Sequence, residues 1–253
     1  MTAVLQVGNR TINAEEIVPL LAGYQLLPRL LFEIIIDQAI VPFTCTSEEI
    51  ADAYQQFCDK NQLTTETECQ AWLELNGMTL EQLKALATRG LRIEKFKQAS
   101  WGHKLESYFF SRKSYLDKVL YSLIQTQDVV AQELYFRIQE GEQSFAEIAR
   151  KYSQGSQAEI GGLIGPVELS SCHPTLAKIL SVSQSSQLWP PTRLGEWLVI
   201  VRLEKFIPAQ LDQPMRQRLL AELFAAWLQE QLNQLGSYVV PATPKLTFIG
   251  SRG

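Results

Sequence analysis

From about residue 14 to about residue 110 the apolar positions fall three and four apart, the period of one helix face. Ahead of that stretch, Val4-Leu5-Gln6-Val7 and Thr11-Ile12 flank Gly8-Asn9, which predicts a small β-hairpin. Asn13 is placed to cap a helix, with Glu15 and Glu16 in its first turn. Leu26 to Ile40 is the first strongly apolar helix. Thr46-Ser47-Glu48-Glu49 is a capping box, and Ile50, Ala53, Tyr54 and Phe57 follow at helical spacing. Thr65 with Glu68 repeats the signal, and Gly77 ends that helix. Thr79 with Gln82 opens a longer one, through Leu80, Leu83, Leu86, Ile93 and Phe96 towards Trp101.

The pattern then changes. Val119-Leu120-Tyr121-Ser122-Leu123-Ile124 is β-prone, Asp128 to Glu140 is helical up to Gly141, and a second helix covers Phe145 to Tyr152. The turn-rich Ser153-Gln154-Gly155-Ser156 leads to Gly161-Gly162-Leu163-Ile164-Gly165. Pro174 to Leu180 reads as a short helix with proline in its first turn, and Trp197 to Leu203 as a buried central strand. Met215 to Leu235 is again helical, between Pro214 and Gly236. Its wide apolar stripe (Leu219, Leu220, Leu223, Phe224, Trp227, Leu228) cannot stand alone, and its natural partner is the N-terminal helical set. Leu246-Thr247-Phe248-Ile249 is expected to add a strand beside the N-terminal hairpin. Ser111 to Lys118 and Phe206 to Pro214 read as linkers.

Composition narrows the classes. The 253 residues, 46% of them hydrophobic, suffice for two modest domains with real cores. The net charge of -4 provides no basic footprint for nucleic acid. Leu26 to Ile40 is broken by Arg29, Glu33 and Asp37 and is shorter than the roughly 20 apolar residues of a bilayer span, so no membrane span is expected. Met1 to Asn9 lacks a basic n-region and a long apolar stretch, which points to the cytoplasm. Cys45, Cys58, Cys69 and Cys172 have no CxxC spacing and the chain has 2 histidines, so free thiols and no metal are expected. The glycines at 161, 162 and 165 fit neither a P-loop nor a dinucleotide fingerprint, and no cofactor is expected.

Gly141 to Ser153, read as G-x-x-x-F-x-x-I-A-x-x-x-S, and Gly161-Gly162-Leu163-Ile164-Gly165 together resemble the motifs of parvulin-type peptidyl-prolyl isomerases over about residues 117–207. The flanks resemble, more loosely, the helical domain of SurA-like chaperones, in which a C-terminal helix returns to complete the fold. Lys95 to Phe110 also resembles cyanobacterial chains of this architecture. The expected class is α+β: a mostly helical SurA-like domain (1–112) completed by a C-terminal helix and tail (208–253). The inserted parvulin-like α/β domain (113–207) carries a small antiparallel sheet.

The resemblance implies a site, and the sequence departs from it. The family's two histidine positions fall near Ser122 and Trp197, and its Cys/Asp position near Gly155; none of those polar groups is retained. The apolar walls of the proline pocket fall at Ile164, Cys172 and Leu176, with His173 beside them. Plain structural readings compete at each place: Trp197 as core, Cys172 as a small hydrophobe, His173 as a polar rim residue at a helix start. Isomerisation breaks no bond. It needs rotation over a barrier of about 18–20 kcal/mol, and a slot that favours the twisted amide lowers it without a nucleophile. Gln125-Thr126-Gln127 holds no basic cluster, so no preference for phosphorylated segments is expected. Three functions stay open: a slow isomerase acting on unfolded or proline-containing polypeptides, a parvulin-like binder without catalysis, and an adaptor for a secretion-machinery protein.

Overall fold

The computed structural model describes residues 3–127 and 130–235. The chain divides into two compact units, residues 1–103 with 217 onwards, and residues 104–216.

The first unit begins with strands β1 (Ala3–Val7) and β2 (Arg10–Asn13), paired antiparallel across the Gly8-Asn9 turn. Helices α1 (Ala14–Gly23) and α2 (Leu27–Ile40) follow, then α3 (Ser47–Lys60), α4 (Glu66–Asn76) and α5 (Leu80–Trp101). The starts obey the local chemistry. At α3, α4 and α5 a threonine hydroxyl accepts the N–H three residues on at 3.2 Å. The acidic or amide side chain there accepts the threonine's own N–H at 2.8 to 2.9 Å. Gly77 closes α4 in the left-handed region, at φ 62°. The strand expected at Leu246–Ile249 lies outside the described residues.

Helix α5 is the spine of this unit, because its cations recur three residues apart. Arg89 meets Glu33 and Asp37 of α2, each at 2.7 Å. Arg92 donates to the Ile40 and Phe43 carbonyls at the negative end of α2. Lys95 meets Glu49 of α3 at 2.6 Å, and its hydrogen bond holds that carboxyl below the ordinary range. Under α5, Leu83 is fully buried against Cys69 and Leu73 of α4. Among the described residues no single helix is long and apolar enough to cross a membrane. Helices α1 and α2 together match a span in length and composition but are bent by 108° where they join.

The second unit holds α6 (Leu105–Leu116), β3 (Lys118–Thr126), α7 (Ala131–Gln139), α8 (Phe145–Tyr152), β4 (Leu163–Glu168), α9 (Pro174–Val182), β5 (Leu188–Leu194) and β6 (Trp197–Ile207). The four strands form one antiparallel sheet in the order β4-β3-β6-β5. One face packs Ile124 and Ile200 against Leu134 of α7 and Phe145 and Ile148 of α8. The other packs Tyr121, Leu123, Val199, Val201 and Leu203 against Leu176 and Leu180 of α9. Ser111 to Lys118, read as a linker, is instead the last turns of α6 running into β3. The helical period continues through it, since Phe109 and Leu116 are both buried two turns apart. Of Phe206 to Pro214, residues 208–212 lie outside regular structure, and α10 (Gln213–Gln234) starts at the residue before Pro214.

The part of α10 that belongs to the first unit completes it. Phe96 of α5 packs against Phe224 at 6.1 Å and Trp227 at 5.0 Å between ring centroids, and Trp101 joins the same group. Phe43 meets Phe96 at 5.8 Å. The apolar stripe of the C-terminal helix thus finds its partner on the N-terminal helices.

Candidate functional site

The α9 face of the sheet is positioned by the glycine pair before β4. Gly162 has φ +82°, and a Cβ there would sit 2.6 Å from the Leu123 carbonyl oxygen. Only a bare backbone fits so close, and there it accepts the Leu123 N–H at 2.8 Å. That pairing sets Ile164 directly across from Tyr121. Downstream, His173 caps α9: its Nδ1 accepts the Thr175 N–H at 3.3 Å, and Pro174 takes the first helical position. The cap aims Leu176 and Leu180 at the sheet, where they are 5% and 0% exposed.

Ile164, Cys172, Leu176 and Trp197 therefore belong to one cluster, together with Tyr121. His173 stands exposed at its rim. Trp197 is half-buried at the start of β6 and pairs with Leu194 across the Gly195-Glu196 turn. Burial, with the Cys172 thiol beside it, pushes the Tyr121 phenol up to about 12. Burial also raises the Cys172 thiol, partly offset by a hydrogen bond from Tyr121. Cys172 further lines a cleft of about 410 Å³ against Tyr115, Leu169, Ala177 and Lys178.

Ser122 and Gly155 lie elsewhere. The Ser122 hydroxyl donates to Glu204 Oε1 at 2.5 Å; Arg202 meets the same oxygen at 2.8 Å and lies over the Phe145 ring. That network sits on the α7–α8 face. Gly155 is in the turn after α8, where the Gln157 side chain occupies the place of a Cβ. Tyr121 also belongs to the cluster on the α9 face, although sequence reasoning did not single it out. Its run is apolar on both sides, so alternation alone does not tell which of Tyr121 and Ser122 faces α9. A register shift in the β3–β6 pairing falls between Leu120 and Tyr121. Among the described residues no group of three metal-ligating side chains comes together.

An antiparallel sheet backed by two helices on one face, with a third helix packed on an apolar cluster on the other, makes a small α/β domain. Residues 124–205 match the rotamase family, the PPIC-type PPIASE domain. That match covers most of the second unit's sheet with α7, α8 and α9, and leaves the helical first unit outside it. The fold of the chain is similar to that of the peptidylprolyl isomerase PrsA from Bacillus cereus, at 17% identity and TM-score 0.51, over 95% of this chain and 94% of that one. PrsA from Bacillus anthracis matches at 19% identity and TM-score 0.43, covering 81% and 96%. A SurA-like chaperone from Campylobacter jejuni matches at 14% identity and TM-score 0.34, covering 93% and 95%. No curated protein matches.

Proposed function

We propose that this protein is a folding factor that binds unfolded or proline-containing segments in the α9 slot and isomerises their prolyl bonds slowly. The observation that carries the reading is that Ile164, Cys172, Leu176 and Trp197, separated in sequence, share one apolar face. A proline ring fits such a surface, and removing it from water favours the bound segment. Trp197, where the resemblance implies a histidine, gives that face an apolar ring in place of a polar group, which supports weak rather than strong catalysis. Each tenfold of rate is worth about 1.4 kcal/mol, so a slot that only favours the twisted amide still accelerates rotation measurably.

The test is exchange spectroscopy on an unphosphorylated Xaa-Pro peptide, with and without protein. Cis/trans cross-peaks that grow with the protein, and are lost in an Ile164→Asp variant still folded by circular dichroism, are the expected result. Line broadening without faster exchange leaves a binder without catalysis. Absence of both effects removes the reading in favour of an adaptor for a dedicated partner such as a secretion-machinery protein.

A further inference from the structure

The cluster on the α9 face is apolar except for a few groups, and Tyr121 is one of these. Tyr121 is opposite Ile164 in the β3–β4 pairing and opposite Leu203 in the β3–β6 pairing. Opposed residues of antiparallel strands share a face, so the Tyr121 side chain belongs to the same apolar cluster as Leu176, against which Ile164 and Trp197 pack. It is 6% exposed. A buried hydroxyl needs a partner, and the group facing this one is the Cys172 thiol. Sulfur is a weak acceptor, and its own S–H points to the Glu168 carbonyl at 3.7 Å. A good donor therefore rests on a poor acceptor inside an apolar slot. Because burial holds the phenol protonated up to about 12, at neutral pH it is available as a donor.

We propose that Tyr121 is a substrate-contacting residue, whose hydroxyl leaves Cys172 to hydrogen-bond the prolyl amide of a bound segment. The proposal rests on the function proposed above. Two acceptors are available on that amide, with different consequences. As the bond twists, the imide nitrogen regains its lone pair, so donation to it favours the twisted form. Donation to the carbonyl oxygen favours the planar forms and strengthens binding alone.

Tyr121→Phe keeps the ring and removes the donor. In a variant whose circular dichroism and melting match the parent, peptide affinity or exchange rate should fall about three- to tenfold, the range of one net hydrogen bond. A fall in rate at constant affinity places the donor on nitrogen, and a fall in affinity places it on oxygen. Both outcomes support the contact. In the unmutated protein, the Tyr121 13Cζ resonance should also shift on peptide addition, which tests the contact even if the variant folds poorly. Unchanged affinity and rate in a folded Tyr121→Phe variant, or a 13Cζ resonance that stays put while peptide binds, overturns the contact and leaves the slot's function standing. A parent protein that binds no peptide removes both.

Discussion

At the residue scale, the glycines before β4 carry more than their motif suggests. Gly162 holds φ +82° with Leu123 O, Ala149 Cβ and Phe145 Cε1 all crowding the place of a side chain. Gly162→Ala is expected to destabilise the domain by about 2 kcal/mol or more, from the left-handed backbone alone and then from the overlap. Urea unfolding of parent and variant checks it through the shift in midpoint at constant slope. The motif was legible in the sequence because turn chemistry is local. Ile164, Cys172 and Leu176 were named from resemblance, and in the structure all three belong to or pack against one apolar cluster. The orientation of Ser122 and Tyr121 was not legible: it depends on strand register, which non-local partners decide.

At the element scale, the helix starts were read almost to the residue, since a capping box is written within four positions. The Glu68 carboxylate at the start of α4 accepts from the Thr64 hydroxyl and from the Thr64 and Thr65 amides, and these bonds hold it below the usual carboxylate range. Thr65→Ala removes the hydroxyl that accepts the Glu68 N–H and should cost about 1 kcal/mol, read from the thermal midpoint. Strand β5 was not delimited in the sequence because Pro190 and Pro191 interrupt it. It survives at the sheet edge, where a missing N–H breaks no ladder on the open side. Helix α6 was cut short in the reading because its Ser111-Arg112-Lys113-Ser114 turn is polar, while the buried Leu116 that continues the helix lies beyond it.

At the scale of the whole molecule, the apolar stripe of the C-terminal helix showed that a partner was needed, and the structure supplies it as stacked and edge-on rings. Phe224 and Trp227 stack at 5.7 Å and meet both Phe96 and Trp101 of α5. Trp227→Ala should destabilise the helical unit by about 2 kcal/mol, less than the 3–5 typical of a fully buried tryptophan because this one is only partly buried. Chemical denaturation followed by far-ultraviolet circular dichroism measures it. The same rings set an order of events during synthesis. A ribosome delivers Phe96 and Trp101 first, then the whole isomerase-type segment, and only then Phe224 and Trp227. Domains generally fold as units while the chain emerges, so the inserted domain has all of its residues before the helical unit that surrounds it in sequence. In the interval the rings of the nascent helical unit lack the cover that α10 later gives them, so this unit is finished only when α10 arrives.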